Sequence, residues 1–99
     1  MSLRKQQSKF SLLMAHLILY AYNHGYEITM GDVWAHDGHM ENSLHYSRLA
    51  VDLNLFKDGG YLVDTENYKD LGDYWESLDP DCRWGGRFQD GNHFEMSLP

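Results

Sequence analysis

The sequence predicts an α+β domain: a small, mainly antiparallel sheet with two helices packed on it. Three observations carry that expectation. Apolar residues recur at helical spacing through residues 2–24. Leu49, Val51, Leu53 and Leu55 alternate with Ala50, Asp52, Asn54 and Phe56, the period of two of a strand with one buried face. Lys57-Asp58-Gly59-Gly60 then supplies a turn, and Tyr61-Leu62-Val63 the returning strand of a hairpin. The chain of 99 residues suffices for one core and one domain, residues 1–99.

The first helix spans residues 2–24, with Phe10, Leu13, Leu17, Tyr20 and Ala21 inward and Gly25 as its stop. Lys5, Gln6, Lys9 and Ser11 suit its wet side. Residues 26–34 alternate as a strand, with Gly31 as a bulge. Residues 35–41 form a loop whose His36 and His39, like His16 and His24 on the helix, fit ordinary surface histidines. The central stretch runs over residues 42–56. His45 and Asp52 stand seven apart, so an unbroken strand puts them on opposite faces. Their meeting requires a bend, which Tyr46-Ser47-Arg48 is placed to supply.

Beyond the hairpin, Asp64 or Thr65 caps a second helix that runs to about Leu78. Its inward residues are Tyr68, Leu71, Tyr74 or Trp75, and Leu78. Gly72 weakens it and Asp79-Pro80 ends it. Trp84-Gly85-Gly86-Arg87-Phe88 is a loop whose paired glycines permit close backbone approach. His93-Phe94-Glu95-Met96 alternates as a short strand, with His93 and Glu95 on one face.

Composition narrows the function. A hydrophobic fraction of 42% is that of a folded globule, and a net charge of −7 disfavours nucleic acid, whose phosphates need a basic face. The lone Cys82 permits no internal disulfide. The N-terminal segment lacks the unbroken apolar run of a signal peptide or a membrane span. The expectation is a chain synthesised in the cytoplasm, with no nucleic-acid partner and no stable membrane insertion.

Asp52 lies mid-strand among apolar neighbours, where an unpaired carboxylate costs several kcal/mol. Two readings account for it. In one, Asp52 pairs with Arg48 or a histidine, and His93 is satisfied in the core. In the other, His45, Asp52 and His93 supply nitrogen and oxygen donors to a zinc ion that keeps one position open for water. Asp90, three residues before His93, then stands where a general base takes a proton from that water. Spacing alone leaves both open, because no local geometry forces these residues together.

The motifs add a resemblance. Ser43-x-His45 followed by Ala50-x-Asp52, then Trp84-Gly85-Gly86 and Asp90-x-x-His93-Phe94-Glu95, resembles the VanY/VanX D-alanyl-D-alanine zinc peptidase group. Within it, the opening Leu-Arg-Lys helix, Asn-Ser-Leu-His, Leu-Ala-Val-Asp-Leu-Asn-Leu-Phe and Trp-Gly-Gly-Arg-Phe are similar to small phage L-alanyl-D-glutamate endolysins over most of the chain. The resemblance implies the hedgehog/D-Ala-D-Ala peptidase-like fold, Zn2+ held by His45, Asp52 and His93, and Asp90 as general base. It implies a peptidoglycan stem peptide as substrate and a phage or prophage origin, with action on the wall after release. Ser43, Arg48, Asn92 and Glu95 are then supporting or substrate-orienting residues.

Two positions depart from the group's pattern. Arg48 stands where a glycine commonly follows the ligand histidine by three. The region Trp34-Ala35-His36 lacks the arginine that in many relatives holds the developing oxyanion; Arg48, Arg83 and Arg87 are the candidates to replace it. A non-catalytic zinc-containing module of the same fold, binding peptidoglycan or a protein partner, is the alternative function.

Overall fold

Ser2 opens the first helix of the computed structural model, which describes residues 2–31 and 48–97. Its hydroxyl accepts from the Lys5 amide at 3.2 Å, satisfying one of the amides a helix start leaves unpaired. Helix α1 spans Leu3–Asn23, and Gly25, at φ 86°, makes the left-handed exit. Its buried stripe is Gln6, Phe10, Met14, Leu17 and Ala21, a four-three repeat that keeps one face to the core. Gln6 thus corrects the expectation of a wet position. It precedes Phe10 by one turn and is carried onto the buried stripe of α1 despite its polarity, only 5% exposed. Met14 takes the central place expected of Leu13, which packs at the margin.

The strands are β1 (Glu27–Met30), β2 (Ala50–Lys57), β3 (Gly60–Tyr61), β4 (Cys82–Trp84) and β5 (His93–Met96). Among the described residues every pairing is antiparallel, in the order β1-β2-β5-β4, with β3 also on β2. The Leu53 amide donates to Asn92 O and Leu55 O accepts from the Leu62 amide, so β5 and the β3 hairpin follow one another along one edge of β2. Tyr68 closes the gap between them, accepting from the Leu55 amide at 3.1 Å and donating to Leu62 O at 2.8 Å. The first strand is described to Gly31; its predicted continuation and the loop and bend at 32–47 lie outside the described residues.

Residues 65–78 are two pieces rather than one helix: a 3-10 turn, Thr65–Tyr68, and helix α2, Lys69–Leu78. Asp64 stands at the cap position but makes no side-chain bond to the turn. Asp79 is extended and ends α2 before Pro80. Leu49, Val51, Leu53 and Leu55 are buried beneath α1 and α2 with Phe94, Met96, Leu71 and Trp75. Trp75 sets its ring edge-on to Phe10 and Phe94, at 5.6 and 6.4 Å between centroids. The two helices and the antiparallel sheet are the α+β architecture the alternation predicts. Among the described residues, no helix is long and apolar enough to cross a membrane.

Candidate active site

The face of the sheet opposite the core carries the polar residues. Alternation along β2 turns Asp52 and Asn54 away from the helices, and alternation along β5 does the same for His93 and Glu95. Register then decides who meets. Asp52 pairs directly with His93, Ala50 with Glu95, and Glu95 in turn with Arg83 on β4. Four charged or titratable side chains therefore share one face across three strands. Gly31 ends β1 beside them, its amide donating to Asp52 O at 2.7 Å. A Cβ there would stand 3.1 Å from Asp52 Cβ.

His93 is the centre of this cluster. Its Nδ1 lies 3.4 Å from Asp52 Oδ1 and 4.0 Å from Asp90 Oδ2, while its Nε2 lies 2.6 Å from Glu95 Oε1. The Glu95 side chain also pairs with Arg83 through its other oxygen. Burial pulls the imidazole pKa down, but the Asp52 and Glu95 carboxylates on either side of the ring overcome it, raising it to about 9. Burial likewise pushes the Glu95 carboxyl up, and His93 with Arg83 outweighs it, holding the group below the usual range.

Asp90 is placed by the loop before β5, and a tryptophan builds that loop. Trp84 donates its indole N–H to Gly91 O at 2.7 Å, and its ring lies against Gly72 of α2 and Gly86. Added Cβ atoms at Gly72 and Gly86 would both come within 2.1 Å of the ring, so only glycine admits it. The Asp90 amide donates to Gly85 O at 2.9 Å and the His93 amide to Asp90 O at 3.1 Å. A Cβ on Gly85 would meet Asp90 O at 2.4 Å and His93 Cβ at 2.7 Å. Glu76 of α2 ties down the outside, accepting from the Trp84 amide at 3.0 Å and pairing with Arg87. The Asp90 carboxylate stays 61% exposed, open to water and ligand.

The donor set suits a divalent metal. A separation of 3.4 Å is long for an N–H···O bond. Two ligand atoms about 2.0–2.1 Å from zinc at a tetrahedral angle stand about 3.3–3.4 Å apart. Asp52 Oδ1 and His93 Nδ1 thus have the spacing of two corners of such a site. Among the described residues, no group of three or more His, Cys, Asp or Glu side chains is arranged to hold a metal. The expected third ligand, His45, and Ser43 lie outside the described residues.

The remaining predicted residues fall as follows. Asn92 donates to Asn54 Oδ1 at 3.3 Å, at the rim of the cluster. Arg48 precedes β2 in the left-handed region at φ 56°, a turn where the bend was expected. It lines a groove with Gln7, Phe10, Met14 and Val51, on the helix-covered side of the sheet. Arg83 and Arg87 are engaged by Glu95 and Glu76. No strand is predicted at Cys82–Trp84, and so the link from Arg83 to Glu95 goes unforeseen. The apolar-polar-apolar order Cys82-Arg83-Trp84 is the signal that would have revealed it.

Comparison with known proteins bears on this arrangement. A family model described as D-alanyl-D-alanine carboxypeptidase matches residues 36–96. No curated protein matches the chain. Asp52, Asp90, His93 and the tryptophan-glycine loop all fall within the matched span, which exceeds half the sequence, and the chain belongs to the D-alanyl-D-alanine carboxypeptidase family of peptidases.

Proposed function

We propose that this protein is a zinc-dependent peptidase that hydrolyses an amide bond in the stem peptide of peptidoglycan. The observation that carries the reading is Asp52 and His93 set face to face across β2 and β5, with Asp90 on the same side of the imidazole. His45, Asp52 and His93 would hold the metal. When bound, zinc supplies Lewis acidity toward the scissile carbonyl and toward an attacking water. Asp90 takes the proton from that water on its carboxylate and passes it to the leaving amine. Its exposure allows both exchanges, and the Trp84 bracket keeps it from drifting away from His93. Asn92 and Ser43 orient the peptide.

The resemblance to endolysins, and the aspartate at position 90, favour the L-alanyl-D-glutamate bond over a D-alanyl-D-alanine one. They also favour a phage or prophage enzyme, made in the cytoplasm and reaching the wall after release. A second reading has one observation behind it. Arg83 and Arg87 are both engaged by carboxylates, and Arg48 faces the helix side, so the oxyanion-holding arginine has no evident replacement among them. On that reading the protein keeps zinc and binds peptidoglycan or a protein partner without cutting.

Purified zinc-loaded protein incubated with peptidoglycan should release new amino groups, and mass analysis of the fragments identifies the bond. Asp90→Ala should keep its zinc and lose the release by ~100-fold or more. Zinc uptake with no new amino groups from any peptidoglycan type selects the binding module. A wild-type protein that takes up no zinc removes both readings.

A further inference from the structure

We infer that Arg83 and Glu95 act as a positioning pair for His93, fixing its ring with the N–H on Nε2 and the lone pair on Nδ1 turned toward Asp52 and Asp90. The inference rests on the metallopeptidase reading above and names how that site is kept in the right tautomer. The two oxygens of Glu95 have separate duties: Oε1 faces His93 Nε2 at 2.6 Å, and Oε2 faces the Arg83 guanidinium. An ionised carboxylate only accepts, so the ring nitrogen facing it must carry the proton. A neutral imidazole has one such proton, which leaves Nδ1 as the donor atom for a cation. That nitrogen is the one 3.4 Å from Asp52 Oδ1.

Backbone and packing explain why the pair is rigid. Residues two apart on a strand are about 6.6 Å apart along it, so Glu95 must lean along β5 to reach His93. Ala50, directly across on β2, leaves it room. Arg83, directly across on β4, takes the second oxygen and stops the carboxylate from swinging back to water. From the core side, the Trp75 indole N–H is shared between the main-chain carbonyls of these same two residues, at 2.9 Å from Glu95 O and 3.2 Å from Arg83 O. The β4–β5 step that carries the pair is thereby pinned to α2. Both residues act through His93.

The test uses 15N-labelled full-length protein and two readouts. Imidazole 15N spectra of the metal-free protein, in alkaline buffer where the ring is neutral, should show His93 protonated on Nε2. Competition against a chromogenic chelator should show Glu95→Gln binding zinc ~10–100-fold more weakly than wild type. Arg83→Met, which keeps the aliphatic stem, should weaken zinc ~3–10-fold and mix the two tautomers, with Arg83→Lys between it and wild type. Circular dichroism checks that each variant is folded, and Arg83→Met decides the matter if Glu95→Gln is not. A His93 protonated on Nδ1, or folded variants with wild-type spectra and zinc affinity, would overturn the pairing. A wild-type protein that ignores zinc would instead remove the metallopeptidase reading, while the metal-free spectrum still decides the tautomer.

Discussion

The two sides of the β2–β5 pair are made by the same alternation and held by opposite physics. On the inner side, Val51, Leu53, Phe94 and Met96 are sealed under the helices. Their contribution is area removed from water, at roughly 25 cal/mol per Å2, and it requires no particular orientation. On the outer side, Asp52, His93 and Glu95 remain partly open, with a carboxylate on each flank of one imidazole. That side gains little from burial. It stores a surplus of negative charge that a proton or a metal cation relieves. The inner side secures the fold and leaves the outer side free to be shaped for chemistry.

Neighbouring substitutions on β2 test this most sharply. Leu53→Ala should cost ~2–5 kcal/mol in urea unfolding, because a buried leucine leaves a cavity that the sheet cannot close. Asp52→Ala, one residue away, should change metal-free stability by ~1 kcal/mol or less and abolish zinc retention. Equal stability losses in the two variants would erase the distinction between the sides.

A smaller effect tests the bracket joining them. Helix propensity predicts that Gly72→Ala stabilises α2 by up to ~1 kcal/mol. The Trp84 ring, 2.1 Å from the added Cβ, predicts a loss of ~1–3 kcal/mol and a displaced Asp90 loop instead. The sign of the change in thermal midpoint decides which wins.

Glu76 offers a test by pH. Arg87 beside it, with help from the Trp84 amide and against the cost of burial, holds its pKa below the usual carboxylate range. A depressed folded pKa stabilises above the unfolded value of about 4.3 and is lost as pH falls through the folded one. Glu76→Gln should therefore lose ~1 kcal/mol at neutral pH, with the gap to wild type closing in acid. A gap that persists unchanged in acid would assign the loss to packing. The smallest effect is expected at Arg48. A residue other than glycine at φ 56° carries strain, so Arg48→Gly should raise stability by up to ~1 kcal/mol in the same unfolding assay.

Most of the elements were legible in the sequence, because each depends on local stereochemistry. The Gly25 stop, the alternation of β2, the Gly59 turn and the shared face of His93 and Glu95 all follow from φ preferences and side-chain direction. The misreadings cluster where a distant partner overrides local character. Gln6 looks wet, but the four-residue spacing to Phe10 carries it onto the buried stripe of α1. Gly72, the weak point of α2 by propensity, also seats the Trp84 ring, a contact no local signal shows. Arg83 sits in a three-residue strand too short to announce itself.

By itself the sequence determined which residues of β2 turn inward, that Asp52 turns out, and that His93 shares one side of β5 with Glu95. Only the tertiary structure decided that this side faces out and that Asp52 and His93 stand opposite one another, with Glu95 behind the ring and Asp90 beside it. Facing is a property of a single strand, fixed by the pleat. Opposition is a property of register between segments 41 positions apart, set by the Leu53–Asn92 bond and the tryptophan that shapes the loop before it.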